Sequence, residues 1–159
     1  MTTSADLTEA ELEAWGERIG REVALPVVLA LSGDLGAGKT TLARAIARGA
    51  GVAGSVPSPT FNLVFDYDTP RGRVRHFDLY RLDQQDDVWE LGWEELGAED
   101  ELVLIEWPEH AEMLLPHPRW DITLDEMEDT ERRRVTLEPV EDPPPLPSFS
   151  SLSPLPPSP

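Results

Sequence analysis

The eight residues Gly33-Asp34-Leu35-Gly36-Ala37-Gly38-Lys39-Thr40 constrain this chain more than any other stretch. They satisfy G-x-x-x-x-G-K-[ST], the loop whose backbone N–H groups curl around a polyphosphate while a lysine reaches the outer phosphates. The glycines permit that curl because they tolerate positive φ. The expected nucleotide-binding set is therefore Asp34, Leu35, Gly36, Ala37, Gly38, Lys39, Thr40 and Thr41. Within it the Thr40 hydroxyl is placed for Mg²⁺ and Thr41 for the α-phosphate. Such a loop needs a strand before it and a helix after it. Val27 to Leu31 is a short apolar run of the buried parallel type. Thr40 to Arg48 reads as a helix with Leu42, Ala43, Ile46 and Ala47 inward and Arg44 and Arg48 outward, stopped by Gly49 and Gly51. The phosphate then meets the positive end of a helix. Lys39 is also the chain's only lysine, every other basic residue being arginine, so an ammonium stands where a compact point charge is wanted.

At 159 residues the chain is expected to form one P-loop domain over residues 1–140, followed by a Pro/Ser-rich disordered tail over 141–159. Nine of the sixteen prolines lie from Pro139 onward, and a segment so poor in apolar residues cannot offset its ordering entropy. With no cysteine there is neither a disulfide framework nor a thiolate metal site. No basic-then-apolar leader opens the chain, and its longest apolar stretch is too short for a bilayer, so a cytoplasmic protein without membrane partners is expected. The formal net charge of −18 opposes a nucleic-acid surface, which draws affinity from neutralising cations. A basic protein partner is compatible with it.

Thr8-Glu9-Ala10-Glu11 is a capping box, with Leu7 and Leu12 as its staple, and predicts a helix over Glu9–Arg21 burying Leu12, Trp15 and Ile19. Phe61, Leu63, Phe65 and Tyr67 alternate with polar neighbours as a half-buried strand does. After the Thr69-Pro70-Arg71-Gly72 turn, Arg73–Leu79 is its antiparallel return. Period-2 logic puts His76, Asp78 and Tyr80 on one face. Asp83–Leu96 reads as a helix with Trp89 and Trp93 in the core. Leu102-Val103-Leu104-Ile105-Glu106 is a buried strand that delivers a carboxylate at its C-terminal end, the Walker-B pattern. A second hairpin joins Trp120–Leu124 to Arg133–Leu137. The fold class is thus α/β: a P-loop NTPase-like, mostly parallel mixed sheet flanked by helices, with antiparallel hairpins.

In this order the chain resembles the TsaE (YjeE) family, bacterial ATPases of tRNA threonylcarbamoyladenosine biosynthesis. The resemblance rests on Gly33 to Thr41, Ser58-Pro59-Thr60-Phe61, His76-Phe77-Asp78-Leu79-Tyr80-Arg81 and Ile105-Glu106-Trp107-Pro108. It implies ATP and Mg²⁺ as ligands, a switch-like role for Thr60 beside the γ-phosphate, Glu106 as the acidic Mg²⁺ residue and Asp78 as a carboxylate needed for hydrolysis. It also implies TsaB and TsaD as partners. Lys39, Thr60, Asp78 and Glu106 are the expected catalytic residues, with Thr40 and Glu106 on the metal. No glutamine or cis arginine finger is obvious, although Arg81 lies near Asp78 in sequence, so slow intrinsic hydrolysis is expected. A small P-loop kinase would need an arginine-bearing lid, for which Arg132-Arg133-Arg134 is the available run; it reads instead as a solvated strand. An ATP-binding adaptor without hydrolysis uses the same residues. A GTPase would need a second lysine. At this net charge the isolated chain is expected not to retain tRNA at physiological salt, and a gel-shift titration with micromolar binding would contradict that.

Overall fold

The computed structural model describes residues 2–34, 36–53, 63–97, 100–128 and 131–149. Among them the order is β1 (Thr3–Thr8), α1 (Glu9–Glu22), β2 (Val27–Gly33), α2 (Lys39–Ala50), β3 (Val64–Thr69), β4 (Gly72–Asp78), β5 (Glu101–Glu106), β6 (Arg119–Glu126) and β7 (Arg132–Val140). Three 3₁₀ segments, Gln85–Leu91, Trp93–Glu95 and Pro108–Leu114, lie before and after β5. The strands make one sheet in the order β1-β7-β6-β2-β5-β4-β3. Its centre is parallel, β6 with β2, β2 with β5 and β5 with β4. The pairs β3–β4 and β6–β7 are antiparallel, as the two expected hairpins require, and β1 adds to the edge antiparallel to β7.

Because side chains alternate across a strand, the apolar runs of β2 and β5 serve two layers at once. Leu29, Leu31, Leu102 and Leu104 face α1 and α2, meeting Leu12, Trp15, Ile19, Leu42 and Ile46. Val28, Val103, Ile105 and Phe77 face the other way, onto Val88, Trp93 and Ala111 of the 3₁₀ segments. The capping box forms as its sequence dictates: Glu11 N–H donates to Thr8 Oγ1 at 3.2 Å and Thr8 N–H to Glu11 Oε1 at 2.9 Å. Arg71, in the β3–β4 turn, closes the other end of α1 by donating to the Gly20 and Val23 carbonyls at 2.5 Å each. Among the described residues no helix is long and apolar enough to cross a membrane.

Gly49 does not end α2; it lies inside the helix, and Gly51 caps it with φ 108°. Gly49 and Gly20 instead bring the helices together. A Cβ on Gly20 would stand 2.0 Å from the Ile46 carbonyl oxygen, and one on Gly49 2.0 Å from that of Glu17.

Further expectations need correction. The first expected element is the helix from Glu9, yet Thr3–Thr8 forms β1 ahead of it, recruited by pairing to β7 rather than by any apolar pattern of its own. The expected strand from Phe61 begins at Val64; Phe61 itself lies outside the described residues. The helix expected over Asp83–Leu96 is two 3₁₀ segments broken at Gly92, whose φ of 79° is left-handed. A three-residue repeat does not align positions four apart, so Trp93 is buried at 4 % exposure while Trp89 stands 48 % exposed. Finally, residues 141–149 of the expected disordered tail lie on the domain. Trp120 and Trp15 donate their indole N–H groups to the carbonyls of Pro144 and Pro147, giving the segment partners its own composition cannot supply.

Alanine for glycine inside a helix ordinarily gains about 0.5–1 kcal/mol. At Gly20 the added methyl meets rigid backbone of α2, and overpacking of that kind costs about 1–3 kcal/mol. Gly20→Ala is therefore expected to lower the thermal midpoint by several degrees, read by circular dichroism; an unchanged or higher midpoint would contradict the close-packed α1–α2 contact.

Candidate functional site

The parallel centre of the sheet brings the C-terminal ends of β2, β5 and β4 to one edge, where ligands of open α/β sheets gather. Register makes this specific: Glu106 of β5 lies beside Leu31 of β2 and Asp78 of β4. From Gly33 the chain turns through the loop into α2, with Gly38 (φ 107°, a conformation glycine tolerates) as its N-cap. A cavity of about 340 Å³ opens there, lined by Gly36, Gly38, Lys39, Thr40, Thr41, Asp78, Tyr80, Glu106 and Trp107. A second cavity of about 570 Å³ adjoins it across Gly36, Gly38 and Thr41, walled by the first turn of α1 and by Arg133.

Glu106 is 1 % exposed, and both of its oxygens are engaged. Thr40 Oγ1 donates to Oε1 at 2.9 Å and His76 Nε2 donates to Oε2 at 2.5 Å. His76 is itself fully buried, and its Nδ1 finds no hydrogen-bond partner among the described residues. Lys39, 5 % exposed, donates from Nζ to the carbonyls of Gly33 and Asp34, the latter at 3.0 Å. Burial holds its ammonium below the ordinary lysine pKa, against the opposing pull of Glu106 and three further carboxylates. Its Nζ also lies 3.8 Å from the ring centroid of Trp107. That ring is aimed by a left-handed backbone at Trp107 (φ 58°, ψ 50°), uncommon for an aromatic residue. Tyr80 and His110 flank the indole with centroids at 4.9 and 5.7 Å. Asp78 is half-buried and accepts the Tyr80 N–H at 3.0 Å.

Of the residues the sequence singled out, Gly36, Ala37, Gly38, Lys39, Thr40, Thr41, Asp78 and Glu106 converge on this edge, with Asp34 exposed at the loop's start. Leu35 and Thr60, with the whole Ser58–Phe61 motif, lie outside the described residues. Arg81 is exposed. The arginine run lies on β7 with Arg132 and Arg134 exposed, Arg134 pairing with Asp6 at 2.9 Å, while the partly buried Arg133 lines the larger cavity. Sequence reasoning gave no role to His76 or Trp107. Alternation did put His76 on the Asp78 face, but its hydrogen bond crosses to another strand. The ring of Trp107 depends on a backbone conformation that its apolar character does not announce.

The matching family model, "Threonylcarbamoyl adenosine biosynthesis protein TsaE", covers residues 7–135. A tRNA threonylcarbamoyladenosine biosynthesis protein TsaE from Rickettsia bellii is 42 % identical over 106 residues, spanning 66 % of this chain and 73 % of the relative. Its counterpart from Haemophilus influenzae is 39 % identical over 103 residues, 65 % of this chain and 65 % of the relative, so the chain spans just under two thirds of that protein. A crystal structure of Bacillus subtilis YdiB superposes with a TM-score of 0.70 at 28 % identity, covering 86 % of each chain.

Burial pushes the Asp78 carboxyl above the ordinary aspartate pKa, and the Glu106 charge adds to this, while the Tyr80 N–H, His76 and Lys39 oppose it. An acid whose folded pKa is raised favours the fold while protonated, and that contribution is lost as pH climbs through the folded pKa. Asp78→Asn keeps the acceptor for Tyr80 and removes the charge. Without nucleotide or Mg²⁺, its melting temperature is expected to exceed that of the unmodified chain at neutral pH. The gap should close as pH falls below the ordinary aspartate value. Thermal scans at pH 3.5 and 7 check this, and a lower midpoint at pH 7 would contradict it.

Proposed function

We propose, because the chain belongs to the TsaE family of threonylcarbamoyl adenosine biosynthesis proteins, that it is a Mg²⁺-dependent ATPase serving that tRNA modification. One observation carries the reading: the 2.9 Å contact from Thr40 at the start of α2 to Glu106 at the end of β5. It joins the hydroxyl of a phosphate-binding loop to a buried acid, an all-oxygen donor pair of the kind Mg²⁺ takes when phosphates and waters complete its shell. Thr40 and Glu106 would hold the metal, which when bound neutralises charge on the β- and γ-phosphate oxygens.

The chain's own groups do the rest. The N-terminal amides of α2 bind the phosphates, and Lys39 exchanges the Gly33 and Asp34 carbonyls for phosphate oxygens, a stronger charge-assisted pairing. His76 holds the second oxygen of Glu106 and thereby fixes the carboxylate's orientation. Asp78, one strand away in register with Glu106, orients the attacking water. Its raised pKa suits a group that must accept a proton. Thr60 is assigned the switch role on the motif alone. The larger cavity, continuous with the loop beyond Thr41, receives the nucleoside. Association with TsaB- and TsaD-type proteins through protein surfaces, rather than direct contact with tRNA, suits a chain of net charge −18. Hydrolysis in isolation is slow and rises in that assembly.

Single-turnover hydrolysis and nucleotide titration test this together. Lys39→Ala is expected to weaken ATP binding about a hundredfold or more, the worth of charge-assisted hydrogen bonds at about 1.5–3 kcal/mol each. Glu106→Ala should remove the Mg²⁺ dependence of binding and turnover. Addition of the partner proteins should accelerate the unmodified chain. Unchanged nucleotide affinity in Lys39→Ala would overturn the phosphate-loop assignment, and binding without turnover in the assembled complex would leave an ATP-binding adaptor in its place.

A further inference from the structure

After β7 the chain reverses at Glu141 and Asp142, both in the left-handed region with φ of 58° and 55°. It then crosses the α1 side of the sheet through Pro143-Pro144-Pro145-Leu146-Pro147-Ser148-Phe149. Two indoles hold it. Trp120 Nε1 of β6 donates to the Pro144 carbonyl at 2.7 Å, and Trp15 Nε1 of α1 donates to the Pro147 carbonyl at 3.0 Å. Leu146 and Phe149 pack against the core on this face, the Phe149 ring 4.8 Å from that of Trp15.

The spacing is informative. The two carbonyls that accept are three residues apart, and so are the two side chains that insert. Three residues is the repeat of polyproline II, a helix without internal hydrogen bonds whose carbonyls stay free for outside donors. Four prolines among residues 143–147 preset φ for that helix and offer no N–H that would need a partner. The receiving face is equally specific. Trp15 is fully buried, and a buried indole N–H needs an acceptor, which the tail's Pro147 carbonyl provides. Trp120 shares the face through alternation with Ile122 and Leu124 of the core. Aromatic donors reading every third residue of a preformed proline helix are the usual physics of proline-rich peptide recognition.

We propose that the Trp15–Trp120 face is a binding site for a proline-rich segment of the pattern Pro-x-Leu-Pro-x-Phe, and that its occupant is this chain's own Pro144–Phe149, docked in cis. The short Glu141–Asp142 reversal keeps the ligand at high effective concentration, so a modest intrinsic affinity suffices to hold it. The docked segment pins the middle of α1, whose first turn walls the larger cavity beside the phosphate loop. The site stands independently of the ATPase reading.

The test uses the full chain and its Leu146→Ser/Phe149→Ser variant, which keeps both tryptophans, with the synthetic peptide of residues 141–149 as probe. In the unmodified chain the Trp15 and Trp120 indole N–H signals should be protected from hydrogen exchange and should ignore added peptide. In the variant the Trp120 signal should exchange readily, and saturable peptide binding should restore the native shifts of both. A scrambled peptide of the same composition should bind at least roughly tenfold more weakly. Freely exchanging indoles in the unmodified chain would overturn the proposal without recourse to any variant. So would a folded variant that ignores the peptide, or one that takes the scrambled sequence equally well. Concentration-dependent dimerisation of the unmodified chain, abolished by Leu146→Ser/Phe149→Ser, would overturn docking in cis in favour of a second copy.

Discussion

Glu106 is the hinge of the molecule's chemistry. A carboxylate 1 % exposed at the end of an apolar strand is costly unless its oxygens are satisfied, and here a hydroxyl from α2 takes one while an imidazole from β4 takes the other. Those two bonds tie three elements together at the edge where the site lies. They also dictate the topology that can hold it. β5 must sit between β2, which feeds the phosphate loop, and β4, which carries His76 and Asp78, all running the same way. The antiparallel pairs lie outside this parallel centre, on its two flanks.

The same edge concentrates charge of both signs in little water. Lys39 is drawn down by burial and Asp78 pushed up by it, so each is displaced toward its neutral form. Lys39 is compensated by two carbonyls and the face of Trp107, groups that polarise toward a cation without carrying full charge. This arrangement stores a positive group beside a loop of backbone N–H donors without neutralising it. An incoming polyphosphate can displace the carbonyls, whereas a salt bridge to Glu106 or Asp78 would compete with it for the same ammonium.

Around that centre, packing obeys simple steric limits. Gly20 and Gly49 let α1 and α2 approach until backbone meets backbone, which fixes α2 and therefore the loop it begins. On the opposite face, among the described residues, short 3₁₀ segments rather than a long helix cover the sheet, and the break at Gly92 leaves room for the Arg75 guanidinium, which reaches the Leu91 and Gly92 carbonyls. The docked Pro144–Phe149 segment completes the α1 side, supplying an acceptor to a tryptophan that the helices alone leave without one.

Local signals sufficed where a residue's partner lay within one turn or one strand. The capping box, the strand–loop–helix at Gly33–Thr41, the apolar strand ending in Glu106 and the two hairpins could all be read from the residues, because each depends on spacing along the chain. What needed the tertiary structure depends on partners far away in sequence. Thr3–Thr8 is a strand only because β7 offers it an edge. The region around Trp89 and Trp93 breaks at a left-handed Gly92 that sits against the guanidinium of Arg75, seventeen residues earlier on β4. His76 becomes a partner of Glu106 only when two strands thirty residues apart lie side by side. The tail follows the same rule. Its composition alone spoke for disorder, since a proline-rich segment has little apolar surface of its own to bury. Two tryptophans from α1 and β6 reversed that outcome by supplying donors at the three-residue repeat the prolines had already set.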